Sequence, residues 1–238
     1  IFEISIFGLT IAPTWYWLMY ALGFIICYQF LKKKLKIAEN NLDTLLVFVF
    51  FWLILWWRIW YIMLYNFSYY ITHISEVFAI WNGGMSFHGW LIGVITAIYI
   101  FSKVKKIAFF TITDHLAIII PIALGLWRIG NYINGELPGY SPYDWPFAIV
   151  AGGISYFPSP LLQMFLEWIL LYSILFWLSQ KKPQLLKKPW YFSGLFLFLY
   201  GLFRIISEQF RLPDEHIGYL LDTDWLTLGM IYSIPLIL

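Results

Sequence analysis

Apolar residues in this chain run unbroken for many positions at a time and do not alternate every second residue, a pattern that specifies helices and not strands. A hydrocarbon layer of ~30 Å needs about 20 such residues per helix, and lipid offers no partner for backbone polar groups, so each span must satisfy its own. The runs predict seven transmembrane helices near 14–31, 44–65, 86–102, 112–128, 160–179, 192–210 and 225–238, preceded by a re-entrant or amphipathic start. The first run lacks a short apolar core with a small-residue cleavage site, and so reads as a retained span. Between the fourth and fifth runs, residues 137–160 hold Pro138, Gly139, Pro142, Pro146, Gly152, Gly153 and Pro158, the composition of a short cap of turns. The expected fold is all-α: one polytopic membrane domain over residues 1–238 with a small extracytoplasmic cap.

Composition supports that reading. Hydrophobic residues make up 61% of the 238, and charged residues only 12%, against about 25% in soluble proteins. A net charge of +2, with every lysine in a short loop, excludes a nucleic-acid partner. Cys27 is the single cysteine, so neither an intramolecular disulfide nor a cysteine metal cluster can form. No metal-ligand spacing, nucleotide loop or nucleophilic serine elbow occurs, and neither a metal nor a cofactor is expected.

Charge then sets the topology. The lysines form three clusters, Lys32 to Lys36, Lys103 to Lys106 and Lys181 to Lys188, after the first, third and fifth runs. Cytoplasmic loops retain such residues, which puts the amino terminus outside and the carboxyl terminus in the cytoplasm of a bacterial inner membrane. The outward loops are then Asn82 to His88, Asn131 to Pro160 and Arg211 to Asp224.

The arginines follow another rule. Arg58, Arg128, Arg204 and Arg211 all lie inside apolar runs or at their outer ends, where a cation costs several kcal/mol unless it is partnered. Taken singly, each also reads as a snorkelling anchor or half of a structural ion pair. As a group turned toward one leaflet they point to an anionic ligand, because a guanidinium fork grips phosphate or carboxylate in two places.

Three stretches concentrate the remaining chemistry. WRIGNYINGE, from Trp127 to Glu136, ends an apolar run in an arginine, two asparagines, two glycines and a carboxylate. In GLFRIISEQFRLPDE, Arg204, Glu208 and Arg211 share one helix face, with Pro213 ending the helix. In WNGGMSFHGWLIG, Gly83, Gly84 and Gly89 surround His88, the one side chain there able to exchange a proton near neutral pH. An isolated histidine is as often structural, and His73, His115 and His216 have no comparable setting.

These stretches, with WYWLMYALGF, RIWYIMLYN and FPSPLLQMFLEW, resemble the bacterial prolipoprotein diacylglyceryl transferases almost from end to end. The resemblance implies transfer of the diacylglyceryl group of phosphatidylglycerol, a membrane lipid, to the cysteine thiol of a preprolipoprotein signal peptide, with glycerol phosphate leaving. It further implies catalysis by His88, Arg128 and Arg204, with Tyr16, Arg58, Asn131, Asn134, Gly135, Glu136, Glu208 and Arg211 lining or bracing the substrate site. The substrate supplies the thiol nucleophile, which must lose a proton before attack. His88 is one candidate base, and an arginine-centred mechanism without it is the other.

The chain also departs from the resemblance. Glycine is common in that family where this chain has Trp17, Trp57, Trp60, Trp90, Trp127 and Trp168, and Trp190 is a seventh such position; histidine is common at Thr14 and glutamate at Gln163. An indole where helix backbones should meet costs ~1–3 kcal/mol or more. The expectation is that UGA codons here are translated as tryptophan but decoded as glycine by the organism of origin. A transporter or channel for an organic anion, using the same arginines, is the alternative function; a phospholipid head-group transferase and a binding-only relative are further ones.

Overall fold

The computed structural model describes residues 4–6, 9–11, 15–35, 39–65, 67–73, 87–213, 218–221 and 223–238. Seven helical segments occupy the predicted runs: α1 (Trp15–Lys34), α2 (Glu39–Tyr65), α4 (Phe87–Lys105), α5 (Phe109–Ile133), the rod Ser159–Lys181, α8 (Tyr191–Glu208) and α9 (Leu228–Ile237). A short α3 (Phe67–Thr72) follows α2. The rod is not uniform: α6 (Ser159–Met164) leads into a π-helical stretch, Phe165–Leu170, and then α7 (Leu171–Lys181). Among the described residues four segments are long and apolar enough to cross a membrane, Asn40–Met63, Phe109–Ile133, Ser159–Lys181 and Tyr191–Glu208, which makes the chain a polytopic helical membrane protein.

Three expectations are revised. The chain is not wholly α-helical: β1 (Ile4–Ile6) and β2 (Leu9–Ile11) pair antiparallel where an amphipathic or re-entrant start was anticipated. Within the cap, β3 (Ile149–Ala151) and β4 (Ile154–Tyr156) form a hairpin in the register Ile149↔Tyr156. Gly152 and Gly153 form its two-residue turn with φ of 59° and 78°, a conformation open to glycine and strained for other residues. The last helix has 10 residues and begins at Leu228, because Thr227 caps it by accepting a hydrogen bond from the Met230 amide.

By internal packing the chain divides into two compact units, Ile1–Leu31 with Asp114–Leu238, and Lys32–Thr113. In the first, Ala117 and Ile118 of α5, Leu171 and Leu175 of α7, and Phe192 and Phe203 of α8 form a buried core. Asp114, buried at the start of α5, accepts from the amide and hydroxyl of Ser193 at 2.8 and 2.7 Å. It thereby supplies the acceptor that the first turn of α8 lacks from its own N-cap, Trp190. Gly201 lets α8 approach α9, since a Cβ there would lie 3.0 Å from the Ser233 carbonyl oxygen.

In the second unit α2 packs along α4, and Gly93 sets their separation. A Cβ at Gly93 would sit 2.6 Å from the Trp52 carbonyl oxygen and 2.7 Å from Leu53 Cα, so only a hydrogen fits. Gly93→Val should therefore push the helices apart and cost about 2 kcal/mol or more, read as a lowered unfolding midpoint in detergent. An unchanged midpoint would show that the two helices do not meet at Gly93.

Candidate functional site

The end of α5 is shaped by its glycines. The Glu136 amide donates to the Asn131 carbonyl at 2.9 Å and the Gly135 amide to that of Tyr132 at 3.0 Å, while Gly135 takes φ +68°. This is a Schellman closure, which a glycine in the left-handed region makes without strain. It turns the chain back so that the Glu136 carboxylate faces its own helix. There Glu136 accepts from Asn131 Nδ2 at 3.0 Å, from Asn134 Nδ2 at 3.2 Å and from the Tyr16 hydroxyl, which also accepts from Asn131 Nδ2 at 2.7 Å. The Tyr16 ring lies against Gly130, where a Cβ would be 3.0 Å away. Five residues of the predicted site, Tyr16, Asn131, Asn134, Gly135 and Glu136, are thus one polar knot that joins α1 to the end of α5.

One turn before Asn131, Arg128 begins a second, deeper network. Its Nε donates to Glu167 Oε2 at 2.9 Å and its Nη2 to Glu167 Oε1 at 3.3 Å, a two-point grip on a carboxylate with no solvent exposure. The Trp127 ring lies 5.0 Å from the Arg128 guanidinium carbon. Arg204 Nη1 stands 3.6 Å from Glu167 Oε1, and its Nη2 pairs with Glu208 Oε1 at 2.5 Å. Arg211 Nη1 donates to Glu208 Oε1 at 3.2 Å, and the Thr227 hydroxyl donates to Glu208 Oε2 at 2.9 Å. Three guanidiniums therefore alternate with two carboxylates, a buried array carrying one excess positive charge. Burial without pairing would cost several kcal/mol per ion, so each member depends on the next.

The cap is tied to this array. Gly139 bridges Arg211 as in a sheet, the Leu212 amide donates to the Pro138 carbonyl at 3.0 Å, and the Tyr140 hydroxyl donates to the Gln209 carbonyl. A Cβ on Gly139 would lie 2.3 Å from the Phe210 carbonyl oxygen, so the crossing requires glycine.

The predicted residues thus fall into three groups. Arg128, Arg204, Glu208 and Arg211 form the array, and Tyr16, Asn131, Asn134, Gly135 and Glu136 the knot. Arg58 belongs to the other unit, buried there with Nη2 donating to the Tyr70 hydroxyl at 3.2 Å and its guanidinium over the Tyr70 ring. His88 falls in the first turn of α4 with its side chain outside the described residues, as Gly83 and Gly84 are entirely.

Glu167 went unpredicted, although it obeys the rule that exposed the arginines: an ionisable side chain inside an apolar run. Thr227 and Gly229, which contact Glu208, carry no such signal in the sequence. Gln163, one turn before Glu167, is fully buried, and neither of its amide atoms has a hydrogen-bond partner among the described residues.

The fold and this array define a polytopic helical membrane protein whose buried arginines and carboxylates form one network of ion pairs. The sequence profile of the family described as prolipoprotein diacylglyceryl transferase matches residues 3–238, and the chain belongs to that family. It is 40% identical over 233 residues to the phosphatidylglycerol–prolipoprotein diacylglyceryl transferase of Methylococcus capsulatus, covering 94% of this chain and 87% of the relative. The proteins of the same name from Brucella anthropi and Francisella tularensis subsp. holarctica are 37% and 42% identical, covering 96% and 94% of this chain and 85% of each relative. These matches leave the transport reading without support.

Removing Glu167 takes the paired carboxylate from Arg128 and leaves Arg204 with Glu208 alone. Glu167→Ala should lower stability by about 3–5 kcal/mol in a detergent unfolding titration. Because the partners are coupled, the Arg128→Ala, Glu167→Ala double variant should lose clearly less than the sum of the single losses. Additive losses would mean that Arg128 and Glu167 do not pair.

Proposed function

We propose that this chain transfers the diacylglyceryl group of phosphatidylglycerol to the lipobox cysteine of preprolipoproteins in a bacterial inner membrane. The observation that carries the reading is the array Arg128–Glu167–Arg204–Glu208–Arg211, whose single excess positive charge matches a monoanionic phosphodiester. Family membership and the names of the relatives support the choice of donor and acceptor.

The reaction follows from charge. The cysteine thiol gives up its proton and its sulfur attacks the carbon of the diacylglyceryl group that is bonded to the phosphate oxygen. A C–S bond forms, the C–O bond breaks, and both electrons of that bond leave on glycerol phosphate. The phosphate gains a second negative charge as the bond breaks, so donors fixed around it stabilise the transition state more than the ground state. Arg128 and Arg204 take this role, braced by Glu167 and Glu208, while Tyr16, Asn131, Asn134, Gly135, Glu136, Arg211 and Arg58 line or support the substrate site. His88 accepts the thiol proton; in an arginine-centred mechanism it would be dispensable. The whole chain acts as one transferase domain of seven spans, with an outside amino terminus, a cytoplasmic carboxyl terminus and residues 137–160 as the extracytoplasmic cap.

Purified protein given phosphatidylglycerol and a lipobox peptide should form a thioether-linked diacylglyceryl peptide, and a cysteine-to-serine peptide should not react. Arg128→Lys keeps charge but loses the planar fork, and should reduce kcat about a hundredfold or more. His88→Gln should reduce kcat about a hundredfold or more. An unchanged kcat would favour the arginine-centred route, and no thioether with any peptide would refute the transfer reading.

The tryptophans belong to the same proposal: Trp17, Trp57, Trp60, Trp90, Trp127 and Trp168, with Trp190, stand at positions decoded as glycine in the organism of origin. Trp190 caps α8 with φ +62° in the left-handed region that favours glycine. The Trp168 indole fills the space at Gly125, where a Cβ would lie 2.3 Å from its ring, and the Trp60 indole nitrogen is buried with no hydrogen-bond partner among the described residues. In a transferase-depleted bacterium, the version with glycine at these positions should restore growth better than the tryptophan version. UGG codons at the six sites, or tryptophan in the native protein by mass spectrometry, would defeat this reading.

A further inference from the structure

Glu208 is the hinge of the arginine array, since one of its oxygens serves both Arg204 and Arg211. A carboxylate so placed needs its second oxygen fixed, or it can rotate and carry both guanidiniums with it. That second oxygen is held from the start of α9. The Thr227 hydroxyl donates to Glu208 Oε2 at 2.9 Å and accepts from the Met230 amide at 3.3 Å, and Thr227 is buried. Two residues on, Gly229 lies directly under the carboxylate: a Cβ there would be 2.8 Å from Glu208 Cδ and 2.9 Å from Oε2. One residue therefore grips the carboxylate while the other leaves room for it.

We propose that Thr227 and Gly229 are positioning residues for the phosphate-binding arginines, so that the first turn of α9 sets the aim of Arg204 and Arg211 through Glu208. The proposal rests on the transfer reading for the identity of the ligand. The division of labour inside Thr227 makes it testable. As a helix cap the side chain needs only an acceptor; as a positioning group it must also donate a hydrogen bond to a carboxylate. Serine and asparagine can do both. Aspartate, ionised, can cap the helix but meets Glu208 with a second negative charge, and valine can do neither.

The experiment compares the full chain with Thr227→Ser, Thr227→Asn, Thr227→Asp, Thr227→Val and Gly229→Ala at pH 8. It has two readouts: transfer to a lipobox peptide, and phosphatidylglycerol binding followed by thermal shift in detergent. Thr227→Ser and Thr227→Asn should keep kcat within about threefold of the parent. Thr227→Asp puts a second buried negative charge beside Glu208, so it should melt lower than the parent, lose tenfold or more in kcat and bind the lipid more weakly. Gly229→Ala keeps the cap and adds no charge; its methyl group displaces the carboxylate, so it should lose tenfold or more in kcat and bind the lipid more weakly, while Thr227→Ser and Thr227→Asn do not. If Thr227→Asp folds and works as well as the parent, Thr227 is a helix cap only and the proposal is overturned. If Thr227→Val or Thr227→Asp does not accumulate, Gly229→Ala, which keeps the cap, still decides: parent-like transfer and lipid binding by that variant overturn the proposal. A parent that binds the lipid but transfers nothing refutes the transfer reading alone, and the binding readout still judges Thr227.

Discussion

The Glu167 carboxylate has no exposure, in a rod whose other ionisable residues are Tyr172 and Lys181, and the rest of the site depends on how its charge is met. An ion in that position is tolerable only with fixed counter-charges, and Arg128 from α5 and Arg204 from α8 provide them. The constraint runs both ways, for Arg128 is buried against this carboxylate, while Arg204 shares its charge between Glu167 and Glu208. Three helices of different sequence position are thereby obliged to present particular turns to one another. The apolar core below, from Ala117 and Ile118 through Leu171 and Leu175 to Phe192 and Phe203, fixes their spacing, while the ions fix their rotation.

The polar knot at the end of α5 and the array beneath it illustrate two ways of ordering a site. In the knot, one carboxylate collects three neutral donors from residues close to a helix terminus, and a glycine cap makes the chain reversal possible. In the array, charge neutralises charge across helices far apart in sequence. Arg128 and Asn131, one turn apart on α5, link the two. A helix end so constrained has little freedom to rearrange, which is the condition for donors that stabilise charge without reorganising first.

Much of this was legible in the sequence, and the part that was not has a physical reason. Helices declare themselves through unbroken apolar runs, and all seven segments appear where those runs lie. The arginines declare themselves because a cation inside such a run needs an explanation. Glu167 satisfies the same criterion but sits alone in FLEW, without the clustering that drew attention to Arg204, Glu208 and Arg211. Thr227 is invisible for a different reason: a hydroxyl carries no charge to betray it, and its value comes entirely from facing Glu208 across a sequence gap. The two hairpins escaped because three-residue strands are too short to show a period, and the last helix was drawn too long because a capping threonine amid leucines reads as one more membrane residue.

The π-helical stretch Phe165–Leu170 also changes how the segment should be read on a helical wheel. Widening one turn is equivalent to inserting a residue into a regular helix, which rotates everything downstream by about 100° relative to everything upstream. Gln163 and Leu171 therefore do not have the angular relationship that their numbering implies, and a single wheel drawn for Ser159–Lys181 mislabels which residues face lipid in one half or the other. Alignments of related chains through this rod carry the same hazard, because a one-residue gap placed on the wrong side of Glu167 preserves the apolar pattern while moving the carboxylate to another face.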